Sequence, residues 1–99
     1  MVSVKIGISD RDGKKMKAVF YDSNGNKIKT THFGASGYTD FIKSGGNQER
    51  KKRYLARHTR NNEDWNDYGS AGSLSRYILW NLPTLSASIT SYKKRFNLK

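Results

Sequence analysis

The stretch MKAVFYDSNGNKIKTTHF, residues 16–33, decides the fold, because two segments rich in aromatic and β-branched residues flank an Asn-Gly pair. Asn24-Gly25 is a pair favoured in type I′ turns, where both central residues need a positive φ. A turn at this pair predicts four cross-strand pairs: Asp22 with Lys27, Tyr21 with Ile28, Val19 with Thr30, and Met16 with Phe33. Opposite charges beside the turn and an aromatic against a β-branched side chain are favourable partners. The stretch therefore predicts an antiparallel hairpin.

A further strand is predicted at the N-terminus. Apolar and polar residues alternate there in the order Val2, Ser3, Val4, Lys5, Ile6, Gly7, Ile8 and Ser9. A period of two residues is typical of a half-buried strand. The segment 10–13, Asp-Arg-Asp-Gly, has the composition of a turn leading into the hairpin.

Helical segments are predicted after the hairpin. Asn47 is a suitable N-cap for a helix from about Gln48 to Thr59. The segment from Ser73 to Asn81 is apolar on nearly every side, which predicts a buried helix with Trp80 in the core, ended by Pro83. A last helix follows, capped by Thr84, with an apolar stripe at Leu85, Ile89, Tyr92 and Phe96.

The polar segment from Asn61 to Gly72 is predicted as a loop, with Trp65 and Tyr68 pointing inward. A chain of 99 residues suffices for one modest core, so we expect a single domain over residues 1–99. Its class is α+β: a small antiparallel sheet, made of the N-terminal strand and the hairpin, followed by about three helices packed on one face.

The composition is strongly basic. The net charge is +11, the pI is about 10.1 and there is no cysteine. Such a charge attracts polyanions, and the lack of cysteine removes disulfides, thiolate catalysis and thiolate metal sites. No apolar run is long enough to span a membrane and no signal-peptide block is present. We therefore expect an intracellular, soluble protein that is not secreted.

Positive charge is concentrated between Arg50 and Arg60, which contains six cationic and no acidic residues. Its four arginines are spaced by three, four and three, so in a helix they point into an arc of roughly 80°. Like charges so arranged call for an anionic partner, and arginine matches phosphate or carboxylate geometry. The candidate anion- or partner-binding residues are Arg50, Lys51, Lys52, Arg53, Arg57 and Arg60, with Lys93, Lys94 and Arg95 near the C-terminus.

Motifs for catalysis are missing from the sequence. It has no nucleotide-binding glycine motif, and its only histidines, His32 and His58, have no carboxylate nearby in sequence. The single acidic cluster, Glu63, Asp64 and Asp67, is expected to pair with the arginines. We therefore expect no enzyme, no catalytic residues, no metal, no cofactor and no small-molecule substrate.

Several segments taken together resemble a known family. They are KTTHFG at 29–34 with GYTDF at 37–41, RKKRYLARH at 50–58, EDW at 63–65, AG at 71–72, SRYILWN at 75–81 and PTL at 83–85. The resemblance, which runs from about Phe20 to Ile89, is to short basic proteins of unknown function encoded by large double-stranded DNA viruses of algae and protists. It implies a virion location and supplies no mechanism.

Two functions fit these observations. The first is a non-enzymatic virion structural protein, a minor capsid component whose basic helix bridges acidic surfaces of neighbouring virion proteins. The alternative is a sequence-independent nucleic-acid-binding protein, with the arginines along the phosphate backbone. Both need a basic, ordered surface, so the sequence leaves the choice open.

Overall fold

A computed structural model describes residues 1–37, 40–60 and 65–99, with the backbone alone at positions 59 and 60. Three antiparallel strands, β1 (Ser3–Ile8), β2 (Lys14–Tyr21) and β3 (Lys27–Ala35), form a sheet in the order β1-β2-β3. The helices that follow are α1 (Gln48–Arg60), α2 (Ala71–Leu74), which continues into a π-helical segment (Ser75–Leu79), and α3 (Leu85–Phe96). The predicted α+β class, with a small sheet and about three helices, is confirmed.

The body of the hairpin has the predicted register, because Val19 pairs with Thr30 and Met16 with Phe33. Near the turn the prediction is wrong: Tyr21 pairs with Lys27, after a register shift between Phe20 and Tyr21. Only the glycine of the Asn-Gly pair has a positive φ, 85°. The turn is therefore not type I′, and its tip lies one residue earlier in the chain, where the Gly25 amide donates to the Asp22 carbonyl (3.0 Å).

The Asp22 side chain holds this turn together and does not face Lys27 in the ladder. Its Oδ1 accepts hydrogen bonds from the amides of Asn24 and Asn26, both at 2.9 Å. The amide of Asn26 in particular holds the pKa of the Asp22 carboxyl below its ordinary value. A short acidic side chain that caps its own turn in this way is a common alternative to a type I′ turn.

One face of the sheet carries the core. Its buried residues are Val4, Ala18, Phe20, Phe33, Leu74, Tyr77, Ile78, Leu79 and Tyr92. The alternation predicted for β1 holds at Val4, but Ile8 is 85% exposed, and Leu85, at the start of the predicted α3 stripe, is 37% exposed. Both residues are at an end of their element, where neighbouring elements do not cover them. Trp65 and Tyr68 pack against this core as expected.

The buried helix predicted from Ser73 to Asn81 is only partly regular. After one α-helical turn the chain widens into a π-helix, in which the amide of Trp80 bonds to the carbonyl of Ser75 (3.0 Å). The wider turn shifts the following side chains around the axis, since each π-helical bond spans one more residue. Trp80 is consequently half-buried and not in the centre of the core, which corrects its predicted position.

The last helix ties the ends of the fold together. The Tyr92 hydroxyl donates to the Tyr68 carbonyl at 2.6 Å, and burial raises the pKa of this phenol. Asn97 ends α3 in the left-handed conformation, with φ of 55°. The chain then returns to β1, where the Lys99 carbonyl accepts from Val4 (2.9 Å) and its amide donates to Val2 (3.0 Å). This pairing covers the start of the outer edge of β1.

Helix α1 begins where the sequence predicts. The side chain of Asn47 accepts a hydrogen bond from the Arg50 amide at 3.1 Å, as an N-cap should. Among its described side chains Tyr54 alone is fully buried, so α1 lies at the periphery. None of the helices in the described ranges is both long and apolar enough to cross a membrane.

Candidate anion-binding site

A cleft of about 510 Å³ separates α1 from the end of the sheet where β2 begins and β3 ends. Five cationic side chains line it: Lys14, Lys15, Arg50, Arg53 and Arg57. Asp40 is the one carboxylate among its described lining residues. The cleft therefore concentrates positive charge in a concave site, where field lines are focused.

Three of the predicted arginines point into this cleft from α1. Arg50, Arg53 and Arg57 follow one another at spacings that put them on one side of the helix. Arg53 lies 3.9 Å from Glu49, and both of these side chains are largely exposed, so that contact neutralises the arginine only weakly. The side chain of Arg60, the fourth member of the predicted set, falls outside the described part of the chain.

The sheet contributes two lysines that the sequence analysis missed. Lys15 bonds to Asp40 at 2.7 Å, and Asp40 is only 5% exposed and also accepts from the Lys43 amide at 2.7 Å. Asp40 is thus paired with Lys15. No other carboxylate among the described lining residues faces Lys14 and the three arginines. The sequence analysis missed these lysines because their proximity to α1 is a tertiary contact. Nothing in the local sequence shows that Lys14 and Lys15 begin a strand facing α1.

Aromatic rings form one wall of the cleft. Tyr54 of α1 stacks on Trp80 with 4.5 Å between ring centroids and 8° between ring planes. His58, one turn further along α1, lies 4.0 Å from the Tyr54 ring. The stack joins α1 to the residue that follows the π-helical segment. It also places flat apolar surface beside the cations.

The remaining predicted residues are divided. Lys51 points inward, where its Nζ donates to the Asn81 carbonyl at 2.9 Å. Lys51 and Arg95 line a second, smaller groove of about 290 Å³, together with Arg76, another residue that the sequence analysis missed. Lys52, Lys93 and Lys94 line neither cavity. The predicted residues are therefore divided between two cavities, which are also lined by Lys14 and Lys15 in the cleft and by Arg76 in the groove.

The other candidate groups have local partners. His32 shares a hydrogen bond of 2.7 Å with the Ser9 hydroxyl, and Asp67 accepts from the Gly69 amide at 3.0 Å, where an arginine was expected. The other two acids of the predicted cluster, Glu63 and Asp64, lie outside the described residues. Across residues 1–37, 40–60 and 65–99, no three histidine or acidic side chains are grouped so that they could hold a metal.

Comparison with known proteins gives one match. Residues 4–58, which include most of α1 and the whole sheet except Ser3, match the sequence model of a family of unknown function, DUF5754. No curated protein and no solved structure matches the chain.

Proposed function

The chain belongs to the DUF5754 family, and from its cleft we propose that it is a non-enzymatic protein that binds nucleic acid through the phosphate backbone. The observation that supports this proposal is that one cleft is lined by four cations, Lys14, Arg50, Arg53 and Arg57. The carboxylate among its described lining residues, Asp40, forms an ion pair with a fifth cation, Lys15. Among the described residues only Arg53 of these four has an ion pair, the exposed one with Glu49 at 3.9 Å. Four cations along a concave surface suit a chain of phosphates better than a single small anion.

The stacked rings in the cleft wall favour nucleic acid over an acidic protein surface. Proteins that bind single strands without sequence preference combine a basic groove with aromatic side chains on which bases stack. Trp80, which is half-buried, supplies such a ring within the same cleft as the arginines, and the buried Tyr54 ring stacked on it holds it in place. An acidic protein surface would use the charges but would gain nothing particular from the rings.

The virion role is the second candidate. It rests on the resemblance to proteins of large DNA viruses, and it draws support from exposed cations outside both cavities, such as Lys27, Lys52 and Lys94. In that role the protein is a minor capsid component, and these lysines and the α1 arginines contact acidic faces of neighbouring subunits. A nucleic-acid-binding protein can also be packaged in a virion, so a virion location alone does not separate the two.

The test is the salt dependence of binding to a labelled single-stranded 20-mer, followed by fluorescence anisotropy. Four phosphate contacts predict a log–log slope of about −3, from roughly −0.7 per contact on single strands. The variant Arg50→Gln/Arg53→Gln/Arg57→Gln should reduce this slope to about −1 and weaken binding at least tenfold at low salt. Its circular dichroism spectrum should be unchanged, because the buried face of α1 is untouched. Two oligonucleotides of unrelated sequence should bind with similar affinity.

The matched control is Lys27→Gln/Lys52→Gln/Lys94→Gln, which removes the same formal charge from exposed positions that line neither cavity. It should lower affinity much less than the arginine variant does. Equal losses for the two variants would mean that net charge alone attracts the oligonucleotide. Tighter binding of an acidic polypeptide than of the 20-mer, with loss in the lysine variant, would favour the second candidate.

A further inference from the structure

The second groove lies next to the cleft, and the two share Trp80 as a lining residue. Three cations line the groove, Lys51 from α1, Arg76 from the π-helical segment and Arg95 from α3. No carboxylate appears among its described lining residues. Three elements that are distant in sequence therefore bring positive charge to one small concave site.

Aromatic rings hold the two arginines of the groove in place. The guanidinium carbon of Arg76 lies 3.9 Å from the centre of the Trp65 ring and 4.9 Å from that of Tyr77. The guanidinium carbon of Arg95 lies 4.3 Å from the Tyr77 ring centre. Because both lie over the same ring, the two carbons are no more than about 9 Å apart, the sum of their distances to it.

The guanidinium groups of Arg76 and Arg95 are preorganised to bind an anion. A stacked guanidinium keeps its five N–H donors in a fixed plane, so little further freedom is lost when it binds a phosphate. The two guanidinium groups, 4.9 and 4.3 Å from the centre of the same ring, also repel each other, and an anion bound close to both relieves that repulsion. Lys51 is fixed by its bond to the Asn81 carbonyl (2.9 Å), and its ammonium keeps further donors for a ligand.

We propose that the groove is a second phosphate site, and that the strand bound in the cleft continues past Trp80 to place a further phosphate near Arg76 and Arg95. This inference rests on the proposed nucleic-acid binding. It extends that proposal by giving the strand a path that runs around the stacked pair of Tyr54 and Trp80 and ends at α3. Lys51 would contact the same part of the strand.

The first experiment measures the oligonucleotide salt slope in Arg76→Gln/Arg95→Gln. Loss of this one phosphate contact should reduce the magnitude of the slope by about 0.7. The control Lys52→Gln/Lys94→Gln removes equal charge outside the groove and should leave the slope nearly unchanged. Arg76→Lys/Arg95→Lys keeps the charge and loses the planar fork, so it should bind with intermediate affinity, and circular dichroism should show all three variants folded.

The second experiment uses the stacking of Arg76 on Trp65. The chain has two tryptophans, so Trp80→Phe leaves Trp65 as the sole indole and retains a ring against Tyr54. Titration with the 20-mer should change the Trp65 emission at one strand per protein, and adding Arg76→Gln should abolish the change. Excess inorganic phosphate should produce the same change and compete with the strand, because both occupy the groove.

The outcomes separate the two proposals. If the α1 arginine variant weakens binding while Arg76→Gln/Arg95→Gln behaves as its control and the Trp65 emission stays constant, the groove inference is wrong and the cleft proposal stands. If phosphate changes the Trp65 emission without displacing the strand, the groove binds a separate anion and the proposed path is wrong. If neither arginine variant affects binding, the proposed function itself fails.

Discussion

At the scale of single residues, Gly34 determines how closely the helices approach the sheet. Its φ is 78°, and a Cβ placed on it would lie 2.6 Å from Cδ1 of Leu79 and 3.3 Å from Cβ of Lys15. Glycine is therefore required twice over, once for the backbone and once for the space. The contact brings the π-helical segment against the strand end that carries Lys14 and Lys15, so the depth of the cleft depends on it.

Replacing Gly34 by alanine should be strongly destabilising. Strain of about 1–2 kcal/mol from the left-handed backbone adds to roughly 1–3 kcal/mol from forcing the Leu79 side chain aside. Gly13→Ala is the matched control, because Gly13 has φ of 80° but nothing within 4 Å of its added Cβ. Urea melts should show the larger loss for Gly34→Ala, and equal losses for the two variants would show that Leu79 adapts without cost.

Asp40 has opposite effects on stability and on binding. Asp40→Asn removes the charge that holds Lys15 at 2.7 Å, so a fifth cation becomes available in the cleft. Affinity for a single-stranded oligonucleotide should rise and its salt slope should steepen by about 0.7. The free energy of unfolding should fall by about 1–3 kcal/mol, since a charge-assisted hydrogen bond in a largely buried position is lost. An unchanged slope together with reduced stability would place Lys15 outside the path of the ligand.

At the scale of elements, the pairing in the body of the hairpin and the start of α1 can be predicted from the local sequence. The two features that were predicted wrongly, the turn type and the position of Trp80, also have local causes. The aromatic and β-branched residues before the Asn-Gly pair and the Asn47 cap are enough to place β2 and the start of α1. The turn differs because Asp22 caps it, and Trp80 moves outward because the preceding turn is π-helical. The turn type depends on one carboxylate, and the position of Trp80 depends on a change of helix pitch. The sequence contains no periodic pattern from which either could be predicted.

Helix α3 depends on the neutral form of one buried phenol. Burial raises the pKa of Tyr92 above the ordinary value of 10.0, so the unfolded chain loses this proton at lower pH than the folded chain does. The stabilisation is therefore complete below about pH 10 and is lost as the pH rises above it, by up to about 1.4 kcal/mol per pH unit. Urea melts from pH 8 to pH 11 should show this fall.

Tyr92→Phe should reduce that alkaline loss while lowering stability at pH 8 by about 1 kcal/mol, because the 2.6 Å bond to the Tyr68 carbonyl disappears. Tyr21→Phe is the control, since Tyr21 is only half-buried, and it should keep the fall seen in the unmodified protein. The same fall in Tyr92→Phe would assign the alkaline transition to other groups.

At the scale of the whole molecule, composition predicts a basic surface but not how its charge is distributed. With 19 basic and 8 acidic residues the sequence predicts attraction to polyanions, and the arginine spacing identifies one wall of the cleft. The opposite wall comes from β2, and the groove needs Arg76 to meet Arg95 over Tyr77. These are contacts between distant segments, which no local spacing encodes.

The return of the chain from α3 to β1 has a consequence for biosynthesis. β1 is translated before α3, yet its edge is covered by Lys99 and its apolar face by Tyr92. While those residues are still inside the ribosomal exit tunnel, the nascent sheet has an open edge and an uncovered face, which are features that promote aggregation. The fold can therefore be completed only after residue 99 has left the tunnel, and until then the nascent chain exposes an unpaired strand edge and apolar surface of the kind that chaperones cover.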